Sequence, residues 1–255
     1  MRETTVLVVA NQKGGVGKTA TAVNIAAGLA SLELSTLLVD LDPQGNATST
    51  LGLRHRRPGG YELLLDGVQL GAAKIESGRE KLDLVPASED MAALEVELSG
   101  VLNRELRLRA GLDAARGKYS YVVVDCPPTL GLLTINGLMV ADEVIVPVQC
   151  EYLALEGLSR FVATLDRVGE IRGNGPLQRR YLMTMYDRRT NLSREVVRDV
   201  RAYFGTEVVR FVVPRSVRLA EAPGFGRTIF EHDPAGAGAL AYMMLSEEIR
   251  NGTTA

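Results

Sequence analysis

One junction near the start restricts this chain more than any other feature. A short apolar run, TTVLVVA (4–10), passes through NQKGGVGKTA (11–20) into a helical pattern over 18–32. Gly14, Gly15 and Gly17 allow a tight turn that aims successive backbone N–H groups at one point. The helix N-terminus adds its partial positive charge there. Strand, glycine turn and helix in that order form the context a phosphate-binding loop requires.

The rest of the chain repeats the same alternation. Strands are predicted at 4–10, 35–40, 81–87, 121–125, 143–148, 178–185 and 207–214, and several of them are apolar throughout. Such runs suit strands covered on both faces of a parallel sheet. Helices are predicted at 18–32, 89–115, 134–140, 155–169, 192–204 and 238–250, with LRHRRPGG (53–60) as a loop. The pattern predicts a doubly wound α/β fold, a mostly parallel sheet flanked by helices in a three-layer sandwich. At 255 residues, 46% of them hydrophobic, one domain over 1–255 is expected. No stretch reaches the roughly 18 apolar residues of a membrane span, and the start lacks a cleavable leader pattern, so a soluble cytoplasmic protein is expected. Cys126 and Cys150 make no C-x-x-C spacing and read as reduced core thiols. The net charge of -2 excludes a uniformly basic nucleic-acid binder. An anionic partner would have to meet a local patch.

The loop itself assigns roles. Lys18 is placed to reach the β- and γ-phosphates, and the Thr19 hydroxyl to ligate Mg²⁺. Two features depart from G-x-x-x-x-G-K-[ST]: Gln12 stands where the first glycine belongs, and Lys13 is a second lysine ahead of the glycines. Acids follow at strand ends. VDLDPQGNAT places Asp40 and Asp42 at the carboxyl end of the sheet, and YVVVD closes in Asp125. An apolar strand ending in Asp downstream of a phosphate loop suits a metal-proximal role for Asp125, through water. Asp42 could orient the attacking water; a turn or capping role is open to both.

Six ordered blocks, KGGVGKT, LLVDLDPQGNAT, VVDCPPTLGLLTINGL, VPVQCEYLALEGL, TMYDRRTNL and VPRSVRLAEAP, resemble the ParA/Soj family of chromosome and plasmid partition ATPases over nearly the whole chain. That family belongs to the P-loop NTPases with a deviant Walker A loop. The resemblance implies ATP and Mg²⁺ as cofactors and an ATP-sandwich homodimer in which Lys13 crosses to the other subunit's phosphates. Gly15 would lie at the closest approach of the subunits. The remainder of the loop, Val16 and Ala20 included, would hold the nucleotide, Asp42 would position water, and Asp40 would support the metal indirectly. The base pocket would comprise Met185, Pro214, Arg215 and Ser216. Ala20 and Ser216 depart from the family's usual GKTT and PRN, which puts fine nucleotide affinity in question.

For DNA, the segment 179–218 holds ten arginines against four acids. Arg194, Arg198 and Arg201 share the outer face of a helix whose Val196, Val197, Val200 and Phe204 point inward. The resemblance implies nonspecific duplex DNA binding, best matched at Arg189 and Arg218, with Arg188 beside them. It also implies a ParB/Spo0J-type centromere-binding partner that stimulates slow hydrolysis, and a nucleoid-associated location. Two rivals are weighed. A MinD-like membrane ATPase would need a basic amphipathic C-terminus, whereas GALAYMMLSEEIRNGTTA carries only Arg250. An iron–sulfur protein would need surface cysteines, whereas Cys126 follows Asp125 directly. A related protein positioning another cargo would share all these motifs.

Overall fold

Residues 4–152, 154–173 and 175–252 are described by this computed structural model; Leu153, in one of the six blocks, lies outside them. Eight strands form one sheet: β1 (Thr5–Val9), β2 (Thr36–Asp40), β3 (Ile75–Arg79), β4 (Leu82–Val85), β5 (Tyr121–Asp125), β6 (Glu143–Gln149), β7 (Gln178–Tyr186) and β8 (Val208–Pro214). Their order is β3-β4-β2-β5-β1-β6-β7-β8. Every pairing is parallel except β3 with β4. The longer helices are α1 (Lys18–Ser31), α2 (Leu132–Val140), α3 (Ala154–Arg172), α4 (Asn191–Phe204) and α5 (Ala237–Asn251).

The continuous apolar runs are explained by the two faces. Val6, Val8, Leu37, Val39, Val122 and Val124 point into a core shared with α2, α3 and α4. Leu7, Val9, Leu38, Val123 and Ile145 point the other way, against α1 and α5. Period-two alternation is present, but both phases are buried, so no polar phase marks it.

The structure corrects three expectations. The helix predicted over 89–115 is a series of short pieces, among them Leu94–Glu97 and Arg107–Leu112. Between those two, Gly100 (φ 80) and Asn103 (φ 57) adopt left-handed backbone, which ends a right-handed helix. The strand predicted at 81–87 is one arm of an antiparallel hairpin whose other arm, β3, lacks strand character in its sequence, IESGR. Short helices at Asn46–Thr50, Gly60–Leu65, Leu70–Ala73, Val217–Glu221 and Ile229–His232 are additional. Each has six residues or fewer, too few for a helical period to register.

Candidate nucleotide site and arginine rim

The sheet order creates the site. β1 and β5 are neighbours, and the chain leaves β1 toward β2 on one side and β5 toward β6 on the other, which opens a crevice at their carboxyl ends. Register then aligns the acids: Asp125 is level with Val9 on one side and with Asp40 on the other. The glycine loop descends from β1 directly over them.

Within the loop, Gly15 (φ 74) and Gly17 (φ 89) take left-handed backbone, which explains glycine at both. A side-chain carbon at Gly14, Gly15 or Gly17 would meet nothing within 4 Å, so the loop encloses open space. Val16 is buried beneath it, and its carbonyl accepts a 2.9 Å bond from the Thr184 hydroxyl of β7. Lys18 is buried and donates to the Lys13 carbonyl at 3.0 Å. Burial lowers its pKa, while Asp125 and Asp42 favour its charged form.

The three acids differ in how they are held. Asp40 is fully buried but satisfied: Thr48 donates to it from both its backbone N–H (2.9 Å) and its hydroxyl (2.8 Å), and Asp42 N–H at 3.2 Å. Burial still pushes its pKa up to about 6. Asp42 accepts from Gln44 N–H at 3.0 Å and makes no other side-chain bond among the described residues. Asp125 is fully buried, and neither carboxylate oxygen has a hydrogen-bond partner. Burial, then the neighbouring Asp40, raises its pKa well above the carboxylate range. The Thr19 hydroxyl and Lys18 act in the opposite direction, Thr19 from outside hydrogen-bond geometry.

An orphaned buried carboxylate under an open N–H-lined loop is a poor way to end a strand unless something cationic is held there. The described residues contain no group of three or more His, Cys, Asp or Glu able to hold a metal by themselves. The donor set suits Mg²⁺, which keeps most of its shell as water and phosphate oxygen. Thr19, Asp125 and the loop therefore fit a magnesium–nucleotide.

Lys13 does not face its own loop. Its ammonium pairs with Glu151 at 3.0 Å, and its N–H is held by Asn11 Oδ1 at 3.1 Å. Asn11 is in turn fixed by donating to the Pro147 carbonyl at 2.7 Å. The proposed base residues do converge. Arg215 N–H donates to the Tyr186 carbonyl at 3.0 Å, joining the ends of β7 and β8, with Met185 (φ 52) beside Tyr186 and Pro214 ending β8. Ser216 also caps the short helix Val217–Glu221 by accepting from Leu219 N–H at 3.4 Å. Asn11, Thr48, Glu151 and Thr184 were not among the sequence candidates. None belongs to a spacing rule, and each acts through a contact distant in sequence or on backbone.

The arginines separate into three sets, which corrects the view of 179–218 as one patch. Arg179 and Arg180 begin β7 at the opposite edge of the sheet and are largely buried in ion pairs with Asp166, Glu207, Glu143 and Glu248. Arg188, Arg189, Arg215 and Arg218 are exposed at the carboxyl edge. Arg189 chelates Asp187 at 2.7 Å and holds its carboxyl well below the usual range, and Arg218 meets Glu221 at 3.2 Å. Arg194, Arg198 and Arg201 stand on the outer face of α4, over buried Val196, Val197 and Val200, as the helical spacing predicts, and Arg210 of β8 lines the same groove.

This sheet, loop and acid set define a P-loop nucleoside triphosphatase. A family model described as an AAA domain matches residues 4–177. The chromosome partitioning protein ParA of Myxococcus xanthus is 45% identical over 98% of this chain and 89% of its own. The chromosome-partitioning ATPase Soj of Thermus thermophilus is 48% identical over 95% and 94%. A crystal structure named cobyrinic acid a,c-diamide synthase, from Mycobacterium smegmatis with bound ADP and magnesium, superposes with TM-score 0.85 at 37% identity, covering 97% of this chain and 94% of that one. The chain belongs to the ParA/Soj family of partition ATPases.

Proposed function

We propose that this chain is an ATP-driven switch for DNA partition. ATP and Mg²⁺ occupy the glycine loop, and the observation that carries this is the unpartnered, fully buried Asp125 beneath it. Bound magnesium would supply charge neutralisation at the phosphates. Lys18 binds phosphate oxygen from within the loop, and Asp42 orients water with the oxygen that Gln44 leaves free. Lys13, turned away from its own loop, serves a second copy's nucleotide, so that ATP completes a homodimer. The partition names of the relatives support chromosome or plasmid DNA as cargo.

Arg188, Arg189 and Arg218, with Arg215 beside them, form the rim that meets DNA phosphates in the dimer, at the nucleoid. Phosphate contacts make such binding nonspecific and steeply salt-dependent. A ParB/Spo0J-type partner stimulates slow hydrolysis and releases the monomers. Among the described residues no helix is long and apolar enough to cross a membrane, and our reading involves none. The synthase name of the Mycobacterium structure does not alter it.

The test compares wild type with Asp42→Ala under ATP, ADP or no nucleotide, by sizing chromatography and binding to unrelated duplexes across a salt series. The expected result is an ATP-dependent Asp42→Ala dimer that binds every duplex, and a non-binding ADP monomer. An ATP dimer that ignores DNA at low salt would remove the partition reading and leave the nucleotide chemistry standing.

A further inference from the structure

β8 is one of the two edge strands of the sheet, opposite β3, and it is not bare. On one face α4 contributes Val196, Val197 and Val200 to the core; on the other α5 contributes Ala241, Tyr242 and Leu245. Both helices overhang the edge strand. Between them runs a groove of about 770 Å³ with β8 as its floor. Its α4 wall carries Arg194, Arg198 and Arg201, and Arg210 projects from the floor. Its α5 wall is apolar, with Leu240 62% exposed and Met244 further along. Among the described residues no Asp or Glu lines it, and acids enter only in the adjoining cavity past Arg210 and Met244, at Glu247 and Glu248.

We infer that this groove receives an extended acidic segment of a protein partner as a ninth strand beside β8. Three observations carry this occupant. The first is shape: the space lies in the plane of the sheet, between helices on opposite faces, where a further strand belongs. The second is a stand-in. Arg201 Nη2 donates to the Arg210 carbonyl at 2.8 Å, satisfying an edge acceptor that a strand's N–H would otherwise meet. The third is charge. Arg194 is bonded only to the neutral Asn191, Arg210 has no side-chain partner among the described residues, and only Arg198 meets an acid, Asp199 at 3.2 Å. A strand presents alternate side chains to opposite faces. The two unlike walls therefore select a segment that alternates acidic residues, toward the arginines, with apolar ones, toward Leu240 and Met244. Duplex DNA offers phosphates but nothing for the apolar wall, so this surface is distinct from the rim at Arg189 and Arg218 and does not depend on it.

The probe is a fluorescent, end-capped octapeptide alternating glutamate and valine, titrated by anisotropy against the full chain. A lysine–valine counterpart and a 20-bp duplex serve as comparators. Saturable binding is expected for the acidic peptide and not for the basic one. Arg210→Glu and Leu240→Asp should each weaken it at least tenfold while their thermal melts match wild type. Amide exchange over 208–214 should slow when the peptide is bound. The inference is overturned if the acidic peptide fails to bind at millimolar concentration, or if the two variants bind it like wild type. It is equally overturned if the duplex displaces the peptide with the same dependence on Arg210 and Leu240, since the groove is then a nucleic-acid surface.

Discussion

The centre of the sheet and its arginine rim handle charge in opposite ways. At the centre, Asp40, Asp125 and Lys18 are buried, and each is either fully satisfied or visibly waiting: Thr48 completes Asp40, whereas nothing completes Asp125. At the rim, the charges are exposed and loosely spoken for by near neighbours, as Arg189 is by Asp187 and Arg218 by Glu221. The contrast teaches where each region's free energy resides. A buried charge is expensive in isolation, so the centre stores unfavourable energy that only a ligand relieves. Exposed pairs are worth little, so the rim arginines can leave their present partners at almost no cost.

This contrast can be broken in four places. Lys18→Ala removes a buried cation aimed at the phosphates and should lower the rate of ATP hydrolysis by about 10²–10³-fold in a phosphate-release assay; a loss under tenfold would mean the centre is not the reactive region. Asp125→Asn takes away a carboxyl that cannot ionise in this buried place without a cost. Without nucleotide it should raise stability by about 1–3 kcal/mol in a denaturant titration, and at the same time abolish the extra stabilisation that magnesium gives with nucleotide. Lower stability without ligand would show that the wild-type carboxylate is not strained. Thr48→Val leaves Asp40 short of a donor and should cost about 1–3 kcal/mol by the same titration, with little change at the rim. The smallest effect belongs to Arg189→Ala. Stability should stay within about 0.5 kcal/mol, while the salt dependence of DNA binding by the dimer loses about 1.8 from its log–log slope, about 0.9 for the phosphate contact removed in each subunit. An unchanged slope would detach Arg189 from the interface.

How much of this was readable in advance follows the same divide. That Lys18, Thr19 and Asp125 meet at one end of the sheet was legible because each stands at a fixed offset from the end of an apolar strand. The parallel sheet declares itself because its strands are apolar in both phases. Thr48 and Glu151 do not, since a hydroxyl eight residues from Asp40 and a carboxylate 138 residues from Lys13 meet their partners only through the fold. At the rim, counting arginines was misleading. Sequence proximity joined Arg179 and Arg180 to Arg188 and Arg189, but β7 has two ends, and its length separates the buried pair from the exposed one. β3 was invisible for a different reason: an edge hairpin arm reading IESGR is held by its partner strand, not by its own propensity.

The end of β7 has a consequence for how the two regions communicate. Within three consecutive residues it supplies the hydroxyl of Thr184 that grips Val16 in the phosphate loop, the left-handed Met185, and the Tyr186 carbonyl that anchors Arg215. Loop and rim are thus mounted on one short axle with no hinge between them. A pull on Val16 would reach the Arg215 anchor along three peptide units of a strand already paired on both sides, and would need neither a moving domain nor a long relay.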